Sequence, residues 1–384
     1  MNSSAFAVTG MVLLLLQAAC SEAEEERAIF SSQPVWSSGT AISGGDGIAR
    51  LIDFDGDGDL DFVTSAPDPR RWVAYRNQDG RIAPEPFWES AETTDCDHVD
   101  VLDFNGDGWS DLAGTHESHC TLYLNRSGEI GTIPDWETGL IANANQIDFG
   151  DFDGDGDLDM VMAAGEPVNG VAVFENESGM PSPLVSRKLG REEYSESAVF
   201  ADFDGDGDLD ITAAYREGAI VVFRNTDGQF DEGETIFEDE EIRWTQRLYW
   251  RDLDGDGRLE LFCAKGPWGN EVGRSVQLAF ADGGEPEILW KSPAETAFHG
   301  FEFGDVDGDG DADMIAADYA DGGSLYLYLN DGGVLSEEPV WSTKTSGPAH
   351  EAVLGDLDGD GDLDLTVGCR DQAHIFENLM AEES

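Results

Sequence analysis

The sequence predicts an all-β chain folded as a seven-bladed β-propeller of four-stranded antiparallel blades, and three observations carry that expectation. A nine-residue acidic motif returns seven times, beginning at Asp53, Asp103, Asp151, Asp202, Asp252, Asp305 and Asp356. Successive copies stand 48 to 53 residues apart, room for one small sheet, which covers both its faces only by stacking on neighbours. Each interval holds short β-branched and aromatic runs separated by Asn and Gly turn signals, the pattern of strands rather than helices.

In chain order, residues 1–20 read as an export signal. The stretch Ala5 to Ala19 is apolar and includes Leu13 to Leu16, yet is short for a bilayer span. Its end, Leu16-Gln17-Ala18-Ala19-Cys20, resembles a bacterial lipoprotein signal, which would place a lipid anchor on Cys20. Gln17 and the lack of a preceding Lys or Arg depart from that pattern and keep ordinary signal cleavage open. Residues 21–28 form an acidic tether, 29–380 the propeller and 381–384 a tail. No other segment is apolar enough to cross a membrane. The expected location is outside the cell, secreted or lipid-anchored at the cell surface or outer membrane, and the expected state is a monomer.

The fourth unit is representative: a first strand Ala198 to Phe203, the acidic loop, a second strand Leu209 to Ala214 and a third strand Ile220 to Phe223. An Asn-to-Gly turn follows at Asn225 to Gly228, with equivalents at Asn77 to Gly80, Asn125 to Gly128, Asn176 to Gly179 and Asn330 to Gly333. Both residue types tolerate the positive φ of tight hairpins. A fourth, outer strand ends in a Pro-to-Trp signature at Trp88, Trp136, Trp290 and Trp341; proline suits an edge. The same signature, Pro34-Val35-Trp36, precedes the first loop, while the chain stops just after the third strand of the last unit, Ala373 to Phe376. Residues near Phe30 to Ser37 are therefore expected to supply the outer strand of the last blade and remove its free edge.

Net charge is -60, from 81 acidic and 21 basic residues, which excludes nucleic acid and anionic membrane as partners and favours cations. Each motif offers side-chain oxygens at positions 1, 3, 5 and 9, all carboxylates except the Asn105 amide, with a backbone carbonyl at position 7 and a bend-permitting Gly at position 6, the hard oxygen donors that Ca2+ takes. Up to seven structural ions are expected. The donors are Asp53, Asp55, Asp57 and Asp61 with Asp59; Asp103, Asn105, Asp107 and Asp111 with Trp109; and Asp151, Asp153, Asp155 and Asp159 with Asp157. They continue as Asp202, Asp204, Asp206 and Asp210 with Asp208; Asp252, Asp254, Asp256 and Glu260 with Arg258; Asp305, Asp307, Asp309 and Asp313 with Asp311; and Asp356, Asp358, Asp360 and Asp364 with Asp362. Without metal, each close carboxylate pair would repel by about 3 to 4 kcal/mol at an effective dielectric near 20.

The run Gly150 to Asp159, with Gly304 to Asp313 and Gly355 to Asp364, resembles the FG-GAP or VCBS-type repeats, a family that includes the integrin α-subunit head. The likeness spans roughly Gly45 to Asn378. It implies structural calcium on one propeller face and ligand binding on the other.

Loops expected on that second face carry Arg70, Arg71, Trp72, His98, His116, His119, Arg216, Trp244, Trp268, His299, Tyr319, His350 and Arg370, the candidate ligand residues. Five of the 6 histidines fall in this set. Aromatic rings stack on sugars and Arg forks grip carboxylates, so a carbohydrate or a surface protein suits the face. One metal reading groups His116, Glu117, Ser118 and His119 with His98, although the spacing lacks the helical register of a zinc protease. Nucleophile elbow, phosphate loop and dinucleotide fingerprint are absent. A binding module is the favoured reading; the alternative is a propeller lyase or hydrolase for uronate-rich glycans with His299 and His350 as bases. Cys96 and Cys120 fall within one repeat and could pair in an oxidising compartment, a question the sequence leaves open, whereas Cys263 and Cys369 read as buried free thiols.

Overall fold

The computed structural model describes residues 29–38, 47–67, 70–93, 96–116, 118–139, 144–165, 167–176, 179–266, 273–280, 286–293, 296–320 and 322–380. The export signal, Cys20 and the tether lie outside them, as do Glu117 and Trp268. Among the described residues, no helix is long and apolar enough to cross a membrane, and the one helical element is a 3-10 turn, Glu240–Ile242.

Seven four-stranded antiparallel sheets follow one another around a ring. The inner strands are Ala49–Ile52, Cys96–Leu102, Ala144–Gly150, Ser195–Ala201, Thr245–Arg251, Phe298–Gly304 and Ala349–Gly355. In the fourth blade the next strands are Asp210–Tyr215, Ala219–Phe223 and Glu234–Glu238. Its first strand is displaced toward the N-terminus from the span expected of the sequence. A bulge between Ser195 and Ser197 carries the ladder backward, and the Phe203 N–H leaves it to donate to Asp210 Oδ2 at 3.0 Å. The seventh blade has the order Trp36–Ser37, Ala373–Phe376, Asp364–Cys369, Ala349–Gly355, with Trp36 opposite Ile375. The Trp36 ring then meets Phe62 and Tyr75 of the first blade edge-on at 5.9 and 5.3 Å.

Apolar clusters fill the spaces between neighbouring blades. Phe54 packs with Val63, Trp88, Val99 and Tyr123 between blades one and two; Phe104 packs with Leu122, Ile147, Met160 and Phe174 between two and three. Phe152, Phe203, Leu253 and Val306 repeat this role in the next four interfaces. Each of these is the second residue of an acidic motif, so one loop presents carboxylates outward and a core side chain sideways. Burying such a side chain contributes about 1.5–3 kcal/mol.

The turn asparagines have a role beyond the turn. Positive φ falls instead on Asp79, Ser127 and Asp227 and on the glycines that follow them. The Asn amides are buried and reach across blades: Nδ2 of Asn125, Asn225, Asn330 and Asn378 donates to the carbonyls of Phe54, Phe152, Leu253 and Val306 at 2.7–3.0 Å. Asn77 does the same to Leu357 at 2.8 Å, joining the first blade to the last. Trp88 and Trp136 add indole N–H bonds to Ile130 and Pro181 of the following blade, at 3.1 and 2.7 Å.

Cys120, Cys263 and Cys369 are free and buried. Cys120 is free, its Sγ 3.4 Å from Met162 Sδ, so the disulfide with Cys96 that the sequence left open is not formed; cross-strand, Cys96 stands opposite His116 and Cys120 opposite Thr115.

Candidate functional site

Every acidic loop joins an inner strand to the second strand of its blade, which places all seven on one face. The fourth and sixth positions, always glycine, have φ of 69 to 80 and 88 to 101 degrees, where a side chain would be strained. In all seven loops Oδ2 of the first Asp accepts the sixth-position N–H at 2.8–3.2 Å. The fifth-position carboxylate accepts the seventh-position N–H at 2.8–3.0 Å. These bonds gather the acids: donor oxygens of Asp53, Asp55 and Asp57 lie within 4.8 Å of one another, as do those of Asp151, Asp153 and Asp159, of Asp202, Asp204 and Asp206, and of Asp252, Asp254 and Asp256.

The ninth-position acid is the buried floor of each loop. In blades two to seven it accepts the N–H of the motif's second residue and, in six blades, that of the turn asparagine, as Asp210 does from Phe203 and Asn225 at 3.0 and 2.7 Å. Burial is the largest influence and pushes the carboxyl up to about 6 in Asp61, Asp111, Asp210 and Asp313. In Asp159, Glu260 and Asp364 it reaches about 7. Asp55 Oδ1 and Asp61 Oδ2 are buried without a hydrogen-bond partner. An all-oxygen donor set fits a hard divalent cation, which in the first loop would stand beside the Arg76 guanidinium that pairs with Asp55 and lies 3.9 Å from Asp61. Seventh-position carboxylates of Asp59, Asp208 and Asp311 face the hairpin turn, accepting N–H bonds from Asp79, Asp227 and Gly332 at 2.8 Å.

At the other end of the inner strands six blades carry a bulge, between Cys96 and His98, Ala144 and Ile147, Ser195 and Ser197, Thr245 and Arg247, Phe298 and Gly300, and Ala349 and Glu351. A bulge re-aims side chains, and four of these extra residues meet across blades. Gln246 Nε2 donates to Glu196 Oε2 at 3.4 Å, and the rings of His299 and His350 stand 4.7 Å apart with Tyr319 beside them at 5.9 and 4.5 Å. Next to Glu196, the Arg216 guanidinium lies over Tyr194 at 3.6 Å and Trp244 at 4.1 Å, and its Nε donates to Glu196 at 2.7 Å. Trp244 holds φ of 65 degrees, a left-handed conformation costly for a bulky residue.

The remaining candidates divide. His116 and His119 stack at 4.8 Å, with the His119 Nε2 on Glu92. Burial pushes His116 down to about 4, whereas its hydrogen bond to Glu92 holds His119 above the usual imidazole range. Trp72 is fully buried against His116 and gives no surface platform. Arg71 pairs with Glu89 at 2.9 Å, Arg70 is half-buried and Arg370 exposed. His98 does not join His116: it lies in the central channel, its Nδ1 2.9 Å from Glu351 and its Nε2 3.0 Å from Asp100. The place expected for His98 is taken by Glu92, a residue the sequence reading did not select.

That channel holds a cavity of about 300 Å³. Glu351 is shared by Arg50 at 2.8 Å, His98 and Arg247 at 3.7 Å. Burial works to raise the Glu351 carboxyl, but Arg50, His98 and Arg247 together hold it far below the ordinary carboxylate range. Asp148 and Glu302, deeper in the lumen, are pushed up to about 7, mainly by burial.

Among solved structures the chain is similar to BBS1N in complex with ARL6DN soaked with mercury, with TM-score 0.61 and 15% identity over 92% of this chain and 98% of that one. The lead-soaked form gives TM-score 0.60 and 14% identity over the same shares. A chain of the mitotic checkpoint complex gives TM-score 0.60 and 9% identity over 98% of this chain and 99% of that one. These likenesses carry the fold alone. No curated protein matches by sequence. The FG-GAP-like repeat pattern, by contrast, matches residues 53–114, 103–162, 151–213, 202–263 and 285–367, each match anchored on an acidic loop or spanning one. With seven blades, seven such loops and this match over most of its length, the chain belongs to the FG-GAP-like repeat family.

Proposed function

We propose that this chain is a calcium-stabilised binding module, exported and either secreted or held at the surface through Cys20, whose ligand sits over the channel mouth opposite the acidic loops. The observation that carries the reading is the bulge-built rim, where Glu196 meets Gln246 beside Arg216 and Trp244, and His299 meets His350 beside Tyr319, as two pairs of largely buried groups. Planar polar groups beside aromatic rings match the alternating hydroxyl edges and apolar faces of a saccharide. Of the exposed large apolar residues among those described, Val35, Phe87, Ile133, Leu184, Leu289 and Val340 lie along the outer strands and the segments leading to them, and Val334 lies on a turn hairpin of blade six, which weighs against a protein seated on the mouth. Calcium in the loops would hold the inner hairpins without meeting the ligand.

A glycan array probed with the calcium-loaded chain tests this, with Trp244→Ala and His299→Ala as comparators. Saccharide binding lost in both variants is the expected result; binding untouched by either, or captured surface protein with no glycan signal, sinks it. The His299, Tyr319 and His350 set also favours a second reading, a lyase for uronate-rich glycans with a histidine as base. Release of unsaturated products that stops in a folded His350→Ala chain would select that reading.

A further inference from the structure

We propose that Glu92, His116 and His119 form a binding site for a borderline divalent transition-metal ion such as Zn2+, separate from the acidic loops and with one coordination position left open. His116 and His119 face each other across the second hairpin of blade two, ending and beginning adjacent strands. Their rings are stacked 4.8 Å apart and nearly parallel, 19 degrees between planes. Nε2 of His119 already touches Glu92 Oε1, and Nε2 of His116 lies 3.6 Å from Oε2. All three donor atoms lie within 4.8 Å of one another. Tetrahedral zinc with bonds of about 2.0–2.1 Å spaces its ligands by roughly 3.3–3.5 Å, so sub-ångström movements admit the ion.

Two further features mark a built site. Glu92 Oε2 is buried with no hydrogen-bond partner, an anionic atom turned inward beside two imidazoles. The supporting shell is fixed: Trp72, fully buried, stacks on His116 at 5.2 Å, and Ser118 Oγ stands 3.3 Å from His119 Nδ1. Ser90 Oγ donates to the Glu92 carbonyl at 3.3 Å while accepting the Trp72 N–H at 3.1 Å, tying the segment that carries the carboxylate to the strand that carries the tryptophan. Such outer contacts orient metal ligands. Glu92 also lines a surface groove with Ile133, Trp136 and Glu137, which gives an ion its way in. The Thr121 hydroxyl stands 2.8 Å from His116 Nε2 and is the contact an ion would displace. Two imidazoles and one carboxylate select zinc, cobalt or nickel over calcium, which prefers oxygen alone.

The experiment titrates Zn2+ into the full chain in excess calcium by calorimetry, and follows Co2+ through its visible ligand-field absorption. One equivalent bound is expected. His119→Ala and Glu92→Gln, both at partly exposed positions, are expected to weaken binding by about 100-fold and abolish the cobalt band, with melting in calcium alone unchanged. His374→Ala, changed in the seventh blade, is expected to bind as the parent does. Failure of the parent chain to bind zinc overturns the proposal, and so does binding retained in His119→Ala.

Discussion

Replacing Asn225 by alanine is expected to loosen one blade interface without touching an acidic ligand. The amide is 1% exposed; its Nδ2 donates to Phe152 O at 2.7 Å in blade three and to Leu209 O at 3.1 Å in its own blade. The backbone N–H bond to Asp210 survives the change. Truncation leaves two buried carbonyls without that donor, at about 1–3 kcal/mol for each group so orphaned, less what relaxation recovers. A loss of about 2–4 kcal/mol is expected in urea unfolding followed by tryptophan fluorescence in calcium buffer. Asn225→Asp keeps the size but sets an acceptor against two acceptors, so it must be at least as damaging as alanine. Thr226→Ala, at the exposed next position, is expected to stay within about 0.5 kcal/mol of the parent. An Asn225→Ala chain as stable as the parent, or an Asp variant milder than the Ala variant, refutes the clamp.

Removing the shared channel anion by Glu351→Ala takes a carboxylate from Arg50, His98 and Arg247 at once and leaves Asp100 as the remaining carboxylate beside Arg50 and His98, and is expected to cost about 3–5 kcal/mol in the same unfolding assay; a change below about 1 kcal/mol would show that water replaces the carboxylate. The pH dependence of the metal-free chain follows from the ninth-position acids, raised from 3.8 or 4.5 to about 6 or 7. A carboxyl raised on folding binds its proton more tightly in the folded chain, so stability grows as pH falls through about 7 and 6 and is lost as pH rises through them. In chelator the melting temperature is therefore expected to be higher near pH 5.5 than near pH 8, with calcium erasing most of the difference; the reverse order contradicts the assignment. Trp244→Gly relieves the left-handed backbone, about 1 kcal/mol, and gives up cation–π contact worth about 0.5–1 kcal/mol. Its stability should match the parent within about 1 kcal/mol while saccharide binding falls at least about tenfold; unchanged binding removes Trp244 from the rim.

The ring was legible because its cause is periodic: seven copies of one acidic loop, with a Pro-to-Trp signature at the start matching the strand absent at the end. The inter-blade duties of the turn asparagines were not, since a hairpin signal explains Asn in full and a contact some 70 residues away leaves no local trace. The rim was half legible. Topology assigns residues to a face, but depth depends on strand alternation, and a one-residue bulge inverts it. Thus Arg71 reaches the surface while Trp72, its neighbour, enters the core, and His98 points down the channel whereas His299 and His350, on bulges, meet at the mouth. Glu92 was missed for a simpler reason: among 81 acidic residues a single glutamate carries no signal until two histidines are folded against it.

Calorimetric melting of the purified chain in calcium and in chelator, with bound calcium counted by elemental analysis, tests most directly whether loop-held cations fasten the blades. Each site filled at a hundredfold excess over its dissociation constant adds about 2.7 kcal/mol, so several equivalents of calcium and a melting temperature well above that of the stripped chain are the result this account requires. Superimposed melting curves, or a folded chain with no bound calcium, would contradict it.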